Sequence, residues 1–471
     1  MASAQKKGLP FPIVGQTYQN RSAQIAKQRT INVYPEFNED LQIVALQGWP
    51  GLKLRTTLTD TGMVRGGKQM GDRLYVVSGT TLAELDIDNN ETQYTGSIAG
   101  ESPVIIDHDG INLVITTDSK AYTATAGGGA VTEISAAGLT NSAGFADRRF
   151  IYQQQNGQYA TSDVDDPETI NGQNFATAES FPDDLTRVFP WQKYIWLFGE
   201  NSAEPWLFAG TGFPPYRINR QGVLRYGIQG RMAIGEVSDN IYFLDQKKRP
   251  RKLLGLQLPT NIGNPALGNK WDSYSTVSDC KIATVTFNQQ DFVIWDFPSA
   301  DATWVYSTET NWWFEIGTNG RYKGESFFRA FNINMAGGMD GKIFELDLNT
   351  YTDDSETILR QRDSFLISGD FYGQHGKRMT IDRLELVFET GVGIETGQGS
   401  DPEVMVQLSE DGGRTFGNEM KGKLGASGKD TPRVEFNALG QFLDVVIRLT
   451  VSDPVQFTLI SANGDITFDD Q

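Results

Sequence analysis

Short apolar runs separated by polar turns recur along the middle of the chain. They begin at Leu74, Leu113, Phe150, Ile195, Ile241, Phe292 and Ile343, which by subtraction are 39, 37, 45, 46, 51 and 51 residues apart. Each run leads into a turn rich in Gly, Asn or Asp and then a second extended run. The plainest copy is Leu74-Tyr75-Val76-Val77, a Ser78-Gly79 turn, and Leu82-Ala83-Glu84-Leu85. Apolar runs this short between turn signals fit buried strands better than helices. A repeat of roughly 40 to 50 residues holding several short strands is the period of propeller blades, because one small sheet buries its two faces only against its neighbours. The pattern predicts an all-β chain whose residues 55–350 form a β-propeller of six to seven blades.

The flanks break the period. Residues 1–54 are polar and irregular, with Ile31-Asn32-Val33-Tyr34-Pro35 and Gly48-Trp49-Pro50-Gly51-Leu52 favouring extended turns over helix. They read as an extended N-terminal arm that either closes the ring or reaches a neighbour. After Tyr351 the repeat stops, and apolar alternation resumes at Leu384, Leu386 and Phe388, with further strands at Val404–Leu408, Arg433–Phe436, Phe442–Leu449 and Val455–Ile460. Five strands in this space with Gly-rich turns predict a β-sandwich-like domain over residues 351–471. Within the ring, Thr303-Trp304-Val305-Tyr306 and Trp312-Trp313-Phe314-Glu315 form an aromatic hairpin expected to pack between adjacent sheets. Thr123–Gly144 is expected to be a weak blade edge or mobile loop, and Asn264–Tyr274 gives room for one short helix weakened by Gly268.

At 471 residues the chain exceeds one ordinary core, so two or three domains are expected. The lone cysteine, Cys280, has no partner for a disulfide and is expected to be a buried thiol in a protein assembled in a reducing compartment. Met1–Pro12 contains Lys6 and Lys7 but no apolar stretch of signal-peptide length, and no run of about eighteen apolar residues occurs, so neither export by that route nor a membrane span is expected. The formal charge of −18 divides into +3 over residues 1–54, −11 over 55–350 and −10 over 351–471. A reader of DNA sequence needs the opposite sign to neutralise phosphates, whereas an acidic body repels DNA or keeps a large assembly soluble. One basic run interrupts it: Lys247, Lys248, Arg249, Arg251 and Lys252 around Pro250. These five cations suit a contact with DNA phosphate or an acidic partner; an extended solvated loop is the other reading, and Pro250 argues against a central strand.

Catalytic chemistry is hard to assemble from these residues. Histidine occurs only as His108 and His375, with no zinc-spaced cluster, phosphate-cradling Gly-Lys-Ser/Thr loop or Gly-x-Ser-x-Gly elbow. His108, in Asp107-His108-Asp109-Gly110, reads as a solvated turn residue. Carboxylate pairs such as Asp165–Asp166, Asp183–Asp184 and Asp353–Asp354 have the residue types a glycosidase uses, but adjacent acids in polar loops are usually solvated. Ser409–Phe416 has the form of an Asp-box hairpin, in which an Asp accepts from turn amides, Gly supplies left-handed residues and an aromatic packs beneath. No catalytic, cofactor-binding or metal-binding residue is expected, and the protein is expected not to be an enzyme.

The order of several segments is more telling than any one. Ile31–Glu36 with Trp49–Leu52, Phe198-Gly199 with Glu204-Pro205-Trp206, Phe213–Ile218, Thr303–Tyr306 with Trp312, and Gly338–Leu346 are followed by Arg383–Phe388, Ser409–Phe416, Arg433-Val434 and Leu439-Gly440. In this order the chain resembles the packaged-DNA stabilisation proteins of short-tailed bacteriophages, also described as tail hub or nozzle proteins. The resemblance implies a structural component of the virion tail, assembled in the host cytoplasm. Its implied form is a homo-hexameric ring below the portal adaptor, which continues the channel for non-specific passage of double-stranded DNA, retains the genome with a tail needle or plug, and carries tailspikes or fibres. Asn261–Gly268, where such proteins are more helical, and the basic run are departures. From another class, a propeller glycan hydrolase or sugar-binding module predicts a monomer or small oligomer with a polar pocket on the ring axis, and a cytosolic scaffold predicts a monomer without affinity for virus particles.

Overall fold

The computed structural model describes residues 7–19, 27–37, 43–155, 157–178, 180–181, 183–389, 391–428 and 433–469. Lys6 and the polar stretch 20–26 lie outside the described residues. The repeat folds into seven four-stranded antiparallel sheets, the upper end of the expected range. The first strands of the blades are Val64–Met70, Ile105–His108, Ala143–Ala146, Leu185–Trp191, Ile234–Val237, Lys281–Phe287 and Ser326–Ala330; successive ones lie side by side around the ring, and Leu185–Trp191 meets Ile234–Val237 through the buried cluster that holds Trp191 and Ile234. Six of the seven apolar runs start in the second strand of a blade. The seventh, at Ile343, falls in the third strand, Lys342–Asp347, because the second strand, Ile333–Gly337, reads Ile-Asn-Met-Ala-Gly and carries little apolar signal.

Blade 7 is completed from the far end of the chain. Its fourth strand is Gly51–Thr57, antiparallel to Lys342–Asp347 with Leu52 opposite Leu346. Glycine is required at 51, where a Cβ would lie 2.3 Å from the Thr350 carbonyl oxygen. The arm thus closes the ring. The rest of it is also extended: Lys7–Phe11 pairs with Thr458–Phe468, and the hairpin Val33–Phe37/Ile43–Gly48 joins the same sheet. Lys27–Ile31 lies between Trp313–Ile316 of blade 6 and Arg360–Asp363.

The C-terminal strands form two facing sheets. Met379–Phe388 lies between Val434–Phe442 and Thr458–Phe468 in one; Asp444–Val451 lies between Glu403–Ser409 and Arg360–Asp363 in the other. Ile381, Leu384, Leu386, Val404, Ile447 and Leu459 fill the space between them, as the alternation of a sandwich requires. Phe11 of the arm enters the same core, against Gly464, where a Cβ would overlap its ring.

Aromatic packing follows the expected plan. Trp295, Trp304, Tyr306 and Trp313 of blade 6 share a buried cluster with Tyr242 and Leu244 of blade 5, and Phe292, Val305 and Phe314 occupy the opposite face with Trp49. Two of the buried indoles find acceptors here: Trp304 Nε1 donates to Tyr274 Oη at 3.0 Å and Trp313 Nε1 to the Ile262 carbonyl at 2.9 Å, whereas Trp271 Nε1 and Trp295 Nε1 have no partner among the described residues. The short helix is Pro265–Asp272, started by Pro265 and capped by Asn264, whose side chain accepts from Leu267 N at 2.9 Å. It places Trp271 in the blade 5–6 cluster beside the fully buried Cys280, whose thiol pKa burial pushes up. The stretch 123–144 carries the weak edge strand Thr132–Glu133 and three glycines, 127 to 129, with positive φ, connecting blades 2 and 3.

Candidate functional site

The basic run is wrapped round one buried carboxylate. Asp245 is 0% exposed; its Oδ1 accepts from the backbone N–H groups of Lys247 (2.8 Å) and Arg249 (2.9 Å), and its Oδ2 from Arg251 Nε (2.6 Å). Lys248 takes the left-handed turn position, φ 59°, and its Nζ donates to the Tyr274 carbonyl at 2.8 Å. Arg249 makes a two-pronged contact with Asp272 at the end of the helix, 2.9 and 2.8 Å. That contact raises the pKa of Arg249 further. The Arg251 guanidinium also covers the Tyr226 ring at 4.8 Å, and Lys252 Nζ approaches the Tyr242 ring at 5.9 Å. Lys247 is the exposed member of the five. Pro250 begins the third strand of blade 5, Pro250–Leu253, which has neighbours on both sides. Proline is accepted because it occupies the first residue of the strand. The segment is therefore a built turn and strand, with four of its cations engaged by the protein and one facing solvent.

The carboxylate pairs are held apart by their own partners. Asp165 pairs with Arg148, while Asp166 accepts from the N–H groups of Glu168 and Thr169 at 2.9 and 3.2 Å. Asp183 caps the turn at Asn201 and Ser202, with backbone contacts of 2.6 and 3.0 Å. Asp353 accepts from Leu52 N at 3.3 Å and is pushed up to about 6 by burial, whereas Asp354 pairs with Lys342. The pairs sit in separate places: a loop of blade 3, the connection before blade 4, and the strand Thr352–Asp353 after blade 7. Among the described residues no group of three or more His, Cys, Asp or Glu is placed to hold a metal ion, and no helix is long and apolar enough to cross a membrane.

His108 differs from the solvated turn residue expected. It ends the strand Ile105–His108, half-buried, with Nε2 3.1 Å from the Gln69 carbonyl of blade 1. The Asp-box expectation holds: Asp411 accepts from the N–H groups of Arg414 and Thr415 and from the hydroxyls of Ser409 and Thr415, which holds its pKa well below the usual carboxylate range. Gly412 and Gly413 take φ of 73° and 82°. Phe416 packs under Arg448, whose guanidinium lies 3.6 Å from the ring and makes a two-pronged contact with Asp363.

Residues to which the sequence assigned no role of their own organise the junction between propeller and sandwich. Asn32, 1% exposed with φ 55°, donates from Nδ2 to the carbonyls of Gly317 (3.2 Å) and Leu359 (2.8 Å) and accepts from Gly317 N at 2.8 Å. Arg362, buried, donates to the carbonyl oxygen of Ile13, the Thr30 hydroxyl (3.0 Å) and Gln28 Oε1 (3.0 Å), fixing the arm to the sandwich. Arg29 makes a two-pronged contact with Glu315 of blade 6, 2.9 and 2.8 Å. At the ring axis Arg231 reaches from blade 5 to the carbonyls of Thr117 and Asn141, both 3.1 Å, tying blades 2 and 3 to it. Only Asn32 left a local signal, because asparagine enters the left-handed region more readily than most residues.

Fold and site together define a two-part all-β class: a seven-bladed propeller closed by its own N-terminal strand and joined to a C-terminal β-sandwich. Sequence comparison agrees part by part. Residues 9–351 match the family described as Bacteriophage P22 Gp10, beta-propeller, and residues 364–467 match Bacteriophage P22 Gp10, beta-sandwich. The chain belongs to this P22 Gp10 family of packaged-DNA stabilisation proteins and is a structural protein of a bacteriophage, as the ordered motifs implied. No curated protein matches it in sequence. Solved structures similar to it include virginiamycin B lyase from Staphylococcus aureus (12% identity, 62% of this chain and 98% of that one, TM-score 0.45). The WD40 beta propeller domain of Doa1 (11%, 63% and 97%, TM-score 0.40) and the computationally designed Ika8 protein (10%, 63% and 100%, TM-score 0.38) are others.

Proposed function

We propose that six copies of this chain form the nozzle of a short phage tail, below the portal adaptor, where the ring continues the DNA channel, retains the packaged genome with a needle or plug, and carries tailspikes or fibres. The observation that carries this reading is the presence of both Gp10 parts, propeller and sandwich, on one chain in family order. Charge supports it: six copies at −18 carry −108, and acidic walls repel phosphate so that DNA slides without adhering. Each propeller then acts as a stiff wall segment, with the passage between subunits. The Lys247–Lys252 segment is proposed as the narrow basic contact to DNA or to an acidic partner, with Lys247 the member free to make it. The +3 N-terminal stretch is proposed to dock on the adaptor, and the proposed parts are an arm over 1–54, a propeller over 55–350 and a sandwich over 351–471, with the strand Gly51–Thr57 crossing from the arm into blade 7.

The test is complementation of DNA-filled heads that lack this protein. Added chain is expected to bind the heads and stop genome leakage, and a truncation lacking residues 1–6, which removes Lys6 and leaves every described strand intact, is expected to bind less. Full leakage in the presence of saturating protein contradicts the proposal.

A further inference from the structure

At the junction between propeller and sandwich a buried arginine makes no direct ion pair among the described residues. Arg360 is 1% exposed and opens the strand Arg360–Asp363. Its Nε and Nη1 have no hydrogen-bond partner, and no salt bridge reaches it among the described residues. Burial lowers its pKa only to about 10, so it carries its charge at neutral pH, and Asp353 acts on it through space. The stem of the guanidinium is pinned: a Cβ at Gly48 would lie 2.7 Å from Nε, and the Tyr351 ring lies 5.7 Å from Cζ. A buried, unpaired cation is unfavourable unless something supplies the missing charge and acceptors.

The pocket beside it has the composition to do so. It measures about 180 Å³ and is walled by Tyr34, Asn288, Asn349, Tyr351, Gln456 and Arg360, with Arg360 the one charged side chain among its described lining residues. Tyr34 Oη accepts from Asn288 Nδ2 at 3.2 Å, which leaves its own proton to donate, and burial raises the phenol pKa so that this proton stays in place. Gln47 and Gln456 direct their Nε2 groups away, to Glu36 and Glu389, so those carboxylates are already engaged. The walls come from the arm hairpin, blade 6, the connection after blade 7 and the sandwich.

We propose that this pocket binds a small oxyanion, a phosphate or a carboxylate group, which pairs with Arg360 and bridges the propeller to the sandwich. A ligand held only by the folded junction stabilises it in proportion to occupancy. The experiment titrates the full chain with inorganic phosphate and, separately, acetate, by calorimetry and thermal unfolding, with chloride at equal ionic strength as control. Saturable binding of one anion per chain, with a rise in unfolding temperature beyond chloride, is expected. Phosphate as the tighter ligand indicates a free or nucleotide-borne phosphate, and acetate as the tighter one indicates a partner's carboxylate; either supports the site. Arg360→Met is expected to abolish saturation and Arg360→Lys to retain it. Should Arg360→Met not fold, Asn349→Asp carries the test, because Asn349 is exposed and a carboxylate there should weaken binding by about tenfold through like-charge repulsion. No saturable effect of either anion beyond chloride, unchanged affinity in a folded Arg360→Met, or, where that variant does not fold, unchanged affinity in Asn349→Asp, overturns the proposal.

Discussion

Asn32→Ala is the substitution that most directly probes how the arm locks the junction. The side chain serves three backbone groups, Gly317 N (2.8 Å), Gly317 O (3.2 Å) and Leu359 O (2.8 Å), and all three lose that partner when it is truncated. A buried amide left without an acceptor costs about 1–3 kcal/mol, and the two carbonyls add a smaller amount. The backbone contributes separately: φ is 55°, a conformation alanine holds at a cost of roughly 1 kcal/mol relative to residues that visit it readily. Together the loss should be about 3–5 kcal/mol, which at 1.4 kcal/mol per decade is a local opening roughly 100-fold or more as frequent. Hydrogen exchange reads this at the Gly317 amide, the donor that loses its acceptor, and at the strand Arg360–Asp363 that follows Leu359. Asn32→Gly separates the terms, because glycine removes the strain but not the lost bonds, and should recover about 1 kcal/mol. Unchanged exchange at Gly317 in Asn32→Ala, or equal stability of the Ala and Gly variants, refutes the reasoning.

Three further outcomes are expected. Gly464→Ala forces Phe11 out of the sandwich core, so limited proteolysis should cut between residues 9 and 19 far faster than in the unaltered chain, with about 2–3 kcal/mol of apolar burial lost. Arg251→Met leaves the Asp245 carboxylate buried without its cation and should destabilise by about 3–5 kcal/mol in urea, whereas Lys247→Met, at the exposed position, should stay within about 0.5 kcal/mol. Asp353 is raised by burial from 3.8 to about 6, so the folded state holds its proton more tightly than the unfolded state and stability falls as pH rises through that window. Asp353→Asn should flatten the pH dependence of unfolding between about pH 4 and 6 and be more stable than the parent at pH 7, and a parent whose stability rises through this window would contradict the assignment.

The ring was legible because its signal is local. In six blades the second strand is a continuous apolar run, buried on both faces by its neighbours, so the period survives in one dimension. It slipped at blade 7 because Asn334 and Gly337 dilute the second strand. Strand Gly51–Thr57 was readable only as extended, since its partner lies some 290 residues away and a strand alone does not announce its pairing. The same distance hid Asn32, Arg29 and Arg362, ordinary polar residues whose importance comes from contacts at Gly317, Glu315 and Ile13. The basic run shows the opposite failure. Its charge was visible, but Asp245 two residues earlier was the sign that the turn folds on an Asx-type acceptor, which consumes part of that charge.

The central claim is that this chain works as a six-membered ring in the virion tail. Symmetry-resolved imaging of purified phage particles, with the copy number per particle counted by quantitative mass spectrometry, tests it most directly. Six copies arranged round a continuous DNA passage beneath the portal adaptor are predicted, about 313 kDa from six chains of 52.1 kDa. Particles that lack the chain, or that carry it in a number or position incompatible with a six-fold ring, would contradict the account.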